Sequence, residues 1–410
     1  MDKILFKNIK GLVQAGENIP NIKKGAEMKE LPIIENAYLL LENGIVKEYG
    51  AMSKLDKNIN NTATSIIDST GRFVFPCFCD SHTHSVFAKT RETEFVDRIN
   101  GLTYEEIALK GGGILNSAKA LSEIDEDTLF ENSLKRVKEI IKAGTGALEI
   151  KSGYGLSIES EIKMLRVIKR IKEHVKIPIK ATLLAAHAYP KEYKENHQGY
   201  IDIIINKIIP QVKAEKLADY IDVFCERNYF SVEEMEQVLI AGKDAGLIPK
   251  VHVNQFSILG GISKAVELNA LSVDHLEELG DDDILALQKS NCIATMLPGC
   301  SHFLSIPFGN ARKIISNNLP LALASDFNPG STPCFNLSTI WSLACLKMKL
   351  TPAEAFNALS VNGAYAMGLE GSHGKISMGS SPGLILSKPL DNINQIPYLY
   401  GESFVDKVIV

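Results

Sequence analysis

Basic charge is not in excess in this 410-residue chain, where 44 Lys plus Arg stand against 49 Asp plus Glu for a net charge of −5. That balance gives no sign of a nucleic-acid surface, and the basic run from Lys163 to Lys176 reads as one solvated helix face. No uninterrupted apolar stretch is long enough to span a bilayer. The opening residues MDKILFKNIK lack the apolar core and cleavage site of a secretory leader. Cysteines number seven, an odd count without the spacing of a disulfide framework. These absences predict a reduced, cytoplasmic protein. The run Gly111-Gly112-Gly113 is framed neither as strand, GxGxxG and helix nor as a Walker loop. It reads as a mobile active-site loop and not as a phosphate cradle.

The most informative segment present is Cys79-Asp80-Ser81-His82-Thr83-His84, which ends the apolar run Phe73, Val74, Phe75 and Phe78. On a strand, alternate side chains share a face. His82 and His84 then point the same way, with Asp80 and Phe78 behind them, as two imidazoles on one metal ion require. The same parity turns Cys77 and Cys79 outward, where cysteine packs as a small hydrophobe. A single His-x-His also occurs on ordinary surfaces, so its meaning depends on the residues downstream.

Further along, short apolar runs keep ending in polar or ionisable residues. They are Ala147 to Lys151, Ile179 to His187, Ile221 to Cys225, Ile248 to Asn254, Leu271 to His275, Cys292 to Leu297 and Leu321 to Asp326. With the first run they make eight candidate strands. Between them lie segments of helical period, such as Glu159 to Val175 with Ile162, Leu165, Ile168 and Val175 on one face. Strands alternating with helices and lacking hairpin signals predict a parallel sheet, and eight such units fit an α/β fold of the closed (β/α)8 TIM-barrel type. Such barrels carry their chemistry at the C-terminal ends of the strands. His82, His84, His187, His252, His275 and Asp326 all fall there, whereas His174, His197, His302 and His373 do not.

The flanks differ. Residues 3–50 carry strand-like runs with a hairpin turn at Glu42-Asn43-Gly44, since Asn-Gly supplies the positive φ angles of a type I′ turn. Residues 373–410 repeat that character. Neither flank is long enough to bury a core alone. Residues 1–72 and 373–410 are therefore expected to form one small β domain beside a barrel spanning 73–372.

Together, the D-x-H-x-H at strand one, a His ending strands five and six and an Asp ending strand eight resemble the amidohydrolase superfamily. Longer blocks bring the chain near the imidazolonepropionase family within it. They include FAKTRETE from Phe87, EIKSGYGL from Glu149, LAAHAYPKEY from Leu184, HVNQFSILGG from His252, SVDHLE from Ser272 and SDFNPG from Ser325. The resemblance implies one divalent metal ion, zinc or iron, on His82, His84, His252 and Asp326. Superfamily members with two metals bridge them through a modified lysine ending strand four. Here that strand ends at Cys225-Glu226, and Lys151 closes strand two.

The implied reaction is attack of hydroxide on the ring carbonyl of 4-imidazolone-5-propanoate, giving N-formimidoyl-glutamate. Asp326 accepts the water's proton and returns it to the leaving nitrogen, and His275 polarises the carbonyl or positions the nucleophile. Arg91 is the expected partner of the substrate's propionate, with Tyr104 and Tyr154 as hydroxyl donors. His187 and Gln255 contact substrate, and Asn328, Gly330 and Ser331 line the opposite wall. The family also suggests a homodimer. Two other readings remain: another one-metal amidohydrolase or aminohydrolase acting on a different cyclic amide or a nucleobase-like ring, where a neutral base would give Arg91 no carboxylate to bind, and a metal-free scaffold.

Overall fold

A computed structural model describes residues 3–56, 58–59, 63–102, 106 and 112–410. The chain begins in β1 (Lys3–Val13), which runs antiparallel to β2 (Ile33–Glu42). Asn43 and Gly44, at φ 52° and 78°, then turn it back into β3 (Ile45–Ala51). Those are the left-handed angles that the Asn-Gly pair predicts. Next, β4 (Ser65–Asp68) and β5 (Arg72–Pro76) pair parallel with different stretches of β1.

The apolar run expected to be one strand is in fact two. Phe73 and Val74 pair with Gly11 and Leu12 in the first sheet, and a separate strand, β6 (Phe78–Asp80), opens the barrel. The break falls at Pro76, which has no N–H to give a ladder, and at Cys77, whose N–H donates to the Gly383 carbonyl at 3.1 Å. A register irregularity between Phe78 and Cys79 also corrects the expected strand parity. Phe78 does not stand behind the histidines but packs edge-on against Trp341, Phe356 and Phe404. Cys77 and Cys79 are buried in packing, as expected. Cys79 sits among Ala147, Ala364 and Met367, and Cys77 fills space that a Cβ on Gly146 would invade, 2.3 Å from its own.

The barrel continues through β7 (Thr145–Lys151), β8 (Ile179–Ala186), β9 (Tyr220–Cys225), β10 (Ile248–Val253), β11 (Ser272–His275), β12 (Ile293–Met296) and β13 (Leu321–Leu323). Each strand is parallel to its neighbour, in chain order from β6 to β13. Beyond the last rungs, a parallel bridge between Thr83 and Phe327 draws the two edges together. Helices between strands are set by local signals. Ser157 caps Ile158–His174 by accepting the Ser160 N–H, and Ser231 and Glu234 form a capping box on Val232–Asp244. The basic residues of the first of these helices are pinned as well as solvated: Arg166 pairs with Glu215 at 2.8 Å, and Lys163 donates to the carbonyls of Leu121 and Ile124.

After the barrel, β14 (Leu384–Pro389) and β15 (Val405–Ile409) return to the first sheet, β14 pairing antiparallel with β5. That seven-stranded sheet is built from both ends of the chain. Among the described residues, no helix is long and apolar enough to cross a membrane.

Candidate active site at the barrel mouth

His82 and His84 follow β6, His252 lies near the end of β10, and Asp326 follows β13. Their spacing in sequence disappears in the barrel, because parallel neighbours bring all strand ends to one mouth. His82 Nδ1 lies 2.6 Å from Asp274 Oδ2 and His252 Nδ1 lies 2.9 Å from Asp222 Oδ2. Each carboxylate accepts a hydrogen bond from Nδ1–H, which leaves Nε2 as a bare lone pair. Both Nε2 atoms are buried without any hydrogen-bond partner. The ligand atoms of His82, His84 and His252 all lie within 4.8 Å of one another. Asp326 Oδ1 stands 3.6 Å from Nε2 of both His82 and His84.

Burial pushes His82 and His84 well below the ordinary histidine range, and Lys151 beside His82 and His187 beside His84 push further the same way. Neutral imidazoles converging on one buried point are costly unless a cation joins them, and they are in the protonation state that metal ligation needs. The residues present therefore fit a divalent metal ion.

Beneath this cluster runs a chain of ions that sequence reasoning missed. Lys151 Nζ lies 2.8 Å from Asp222, 2.7 Å from Glu149 and 3.6 Å from Asp274. Lys250 pairs with the other oxygen of Glu149 and donates to the Ser81 carbonyl at 3.1 Å. All five side chains are fully buried. Lys151 thus joins the two carboxylates that orient His82 and His252. Burial alone would raise Asp222, but His252 and Lys151 hold it well below the usual carboxylate range.

Above the cluster opens a cavity of about 380 Å³. His187, just past β8, lines it. Its Nδ1–H donates to the Gly153 carbonyl at 3.0 Å, and its ring stacks on His84 at 5.3 Å. Burial, reinforced by His252, brings its pKa down to about 3, so Nε2 is an acceptor at neutral pH. Tyr154 sits in a loop clamped from below by Glu161, which accepts the N–H groups of Gly153, Gly155 and Leu156 at 2.6–3.1 Å.

Arg91 enters the cavity from the other side, half-buried as a residue, with Nε and Nη1 buried and without a hydrogen bond and Nε 3.5 Å from Glu94. It lies flat on Gly330, where a Cβ would fall 1.3 Å from Nη2. Asn328 knots that loop, accepting the N–H groups of Gly330 and Ser331 and donating to Ser331 Oγ at 2.7 Å. Gln255 donates to Cys300 Sγ at 3.4 Å, and its loop is held by Glu226, which accepts from Phe256 and Ser257.

His275 ends β11, and burial of its charged form is outweighed by Glu277, 3.4 Å away, so its pKa rises. His275 and Asp326 both hold positive φ, 92° and 53°, a strained conformation for such residues. The structure thus gathers every residue expected at the site except Tyr104, which, like Gly111, lies outside the described residues. Arg98, Phe224 and Tyr229 also line the cavity and were not anticipated. Of the histidines away from strand ends, His302 is exposed, His174 and His197 bond to Arg170 and Glu234, and His373 contacts Ser372.

A parallel eight-stranded barrel whose mouth gathers three buried imidazoles and a carboxylate at the floor of a cavity defines a barrel metallohydrolase. Residues 73–410 match the amidohydrolase family. An imidazolonepropionase of Flavobacterium johnsoniae is 54% identical over 99% of this chain and 98% of that one. Those of Christiangramia forsetii and Geobacillus sp. strain WCH70 are 52% and 39% identical, over 99% and 100% of this chain and 98% and 97% of theirs. Among solved structures, a guanine deaminase from C. acetobutylicum superimposes with a TM-score of 0.70 at 17% identity, covering 100% of this chain and 99% of that one. A triazine hydrolase variant gives 0.74 at 12%, covering 100% and 94%; these two likenesses concern the fold. The chain belongs to the imidazolonepropionase family of the amidohydrolases.

Proposed function

We propose that this enzyme hydrolyses the ring amide C–N bond of 4-imidazolone-5-propanoate to N-formimidoyl-L-glutamate, a step of histidine degradation. The observation that carries the reading is Arg91, whose buried guanidinium lies on Gly330 in the cavity that ends at the imidazole cluster and keeps donors free for an anionic group. Family membership supplies the reaction class.

One divalent ion, zinc or iron, held by His82, His84, His252 and Asp326 would supply Lewis acidity and lower the pKa of water towards about 7. The chain's own residues do the rest. Arg91 binds the propionate bidentately and Tyr154 adds a hydroxyl donor, a role also given to Tyr104. His187 Nε2 accepts a ring N–H, Gln255 orients the ring, and Asn328, Gly330 and Ser331 form the far wall. Asp326 takes a proton from the attacking water as its oxygen bonds to the ring carbonyl carbon. The C–N bond then breaks, and Asp326 returns that proton to the leaving nitrogen. His275, held by Glu277, donates to the carbonyl oxygen as charge builds there.

A single resident ion is supported by Lys151, whose ammonium is taken up by Asp222 and Glu149, and by Glu226, whose carboxylate is spent on backbone N–H groups. The catalytic unit is the barrel, which opens at Phe78 and not at residue 73 because Arg72–Pro76 belongs to the other sheet, with the two chain ends as a small β domain. The seven unpaired cysteines fit a reducing cytoplasm, and the assembly is a homodimer.

The test is loss of ultraviolet absorbance of fresh substrate with wild type, Arg91→Ala and His252→Ala, with metal content measured on each. Wild type alone should be active, Arg91→Ala should retain its metal, and His252→Ala should lose it. Metal-loaded but inactive wild type would sink the substrate and turn the search to other cyclic amides and to aminated rings.

A further inference from the structure

A second group of ligand atoms lies beside the first and shares no residue with the three-histidine cluster. The side chains of His275, Glu277 and Cys300 are buried, and one ligand atom from each lies within 4.8 Å of the other two. Two successive residues with positive φ, His275 at 92° and Leu276 at 61°, turn the chain as it leaves β11. The Glu277 carboxylate comes back to His275 Nδ1, at 3.4 Å for Oε2 and 3.5 Å for Oε1. Ser301 Oγ donates to Oε1 at 3.1 Å. Oε2 has no hydrogen bond, in a side chain whose residue is only 7% exposed. From the next helix, Pro298–Leu304, Cys300 Sγ faces in and receives the Gln255 amide at 3.4 Å.

We propose that His275, Glu277 and Cys300 form a second, weaker site for a thiophilic divalent cation, zinc first, whose occupation arrests hydrolysis by drawing His275 away from the substrate. One imidazole, one carboxylate and one thiol suit zinc or cobalt and disfavour calcium or magnesium, which take oxygen ligands. With three protein ligands against four, this site fills after the first. On binding, the Cys300 S–H bond breaks, its proton passes to solvent and a sulfur–metal bond forms, with no change of oxidation state. The arrest rests on the reading of His275 as the donor to the reacting carbonyl, whereas the binding itself does not.

Cobalt(II) titrated into the zinc-loaded holoenzyme reads this site separately, because it alone contains sulfur and a cobalt–thiolate bond absorbs in the near ultraviolet. The expected result is a charge-transfer band that grows with added cobalt in wild type, is missing in Cys300→Ser, and needs more cobalt in Glu277→Gln. Hydrolysis by wild type should be lost as excess zinc fills the site, whereas Cys300→Ser should keep its own starting rate. Absence of the band in wild type, or its persistence at full strength in Cys300→Ser, overturns the site. A band without loss of rate overturns the arrest and with it the role of His275. A zinc-loaded wild type that shows the band but no hydrolysis before any metal is added overturns instead the substrate assignment.

Discussion

Asp326 is tied to His82 through the backbone and converges with it through the side chain. The Asp326 N–H donates to the His82 carbonyl at 3.0 Å, and Asp326 Oδ1 lies 3.6 Å from His82 Nε2. One step further on, the His84 N–H donates to the Phe327 carbonyl at 2.8 Å. The seam that draws the barrel shut is therefore the same stretch of chain that presents the imidazoles and the carboxylate. Asp326→Asn leaves the backbone seam intact while removing the negative charge and the proton acceptor. Activity should fall by about 10²–10⁴-fold, in the range of a lost general acid–base, with the unfolding midpoint of the metal-free protein little changed. Loss of that midpoint together with activity would make Asp326 a structural residue.

Gly330 tests the substrate anchor without touching Arg91. A methyl group at 330 would land 1.3 Å from Arg91 Nη2, so Gly330→Ala must push the guanidinium aside. A charge-assisted hydrogen bond is worth about 1.5–3 kcal/mol, and kcat/KM should drop roughly 10- to 100-fold, mostly through KM. An unchanged KM would detach Arg91 from the propionate.

Away from the site, burial lowers the pKa of His373. The unfolded chain then binds the proton first, so this residue's contribution to stability is present above about 6.5, the ordinary histidine value, and is lost as pH falls towards the folded value. Denaturant midpoints of the metal-loaded protein at pH 7.5 and 5.5 should differ less in His373→Gln than in wild type. Equal differences would refute an effect of burial on His373.

Much of the barrel could be read from one sequence because parallel strands are apolar on both faces and announce their ends with polar residues. The ligand cluster could be read because strand ends converge. Residues 72–80 misled, since Arg72–Pro76 and Phe78–Asp80 are both largely apolar and, Pro76 apart, it is their partners, β14 and β7, that tell the two sheets apart. Lys151, Lys250, Asp222 and Asp274 were missed although they carried a signal. Each is an ionisable residue inside an apolar strand, and a charge there must find a partner across the barrel.

Lys151 is the sharpest test of that buried chain. It is the cation common to Asp222 and Asp274, which in turn hold Nδ1 of His252 and His82. Lys151→Met keeps the length and apolar stem but leaves buried carboxylates short of one positive charge, a change that typically costs about 3–5 kcal/mol. Two effects should separate. Denaturant unfolding of the metal-free protein reports the lost charge balance, and chelator competition reports the orientation of the ligands, where loss of an outer partner typically weakens metal binding by about 10–100-fold. A destabilised variant that still grips its metal as wild type does would limit Lys151 to holding the barrel together. Weakened metal binding, with the His82→Ala variant showing a larger loss of the same kind, would make it a positioning residue for the metal centre.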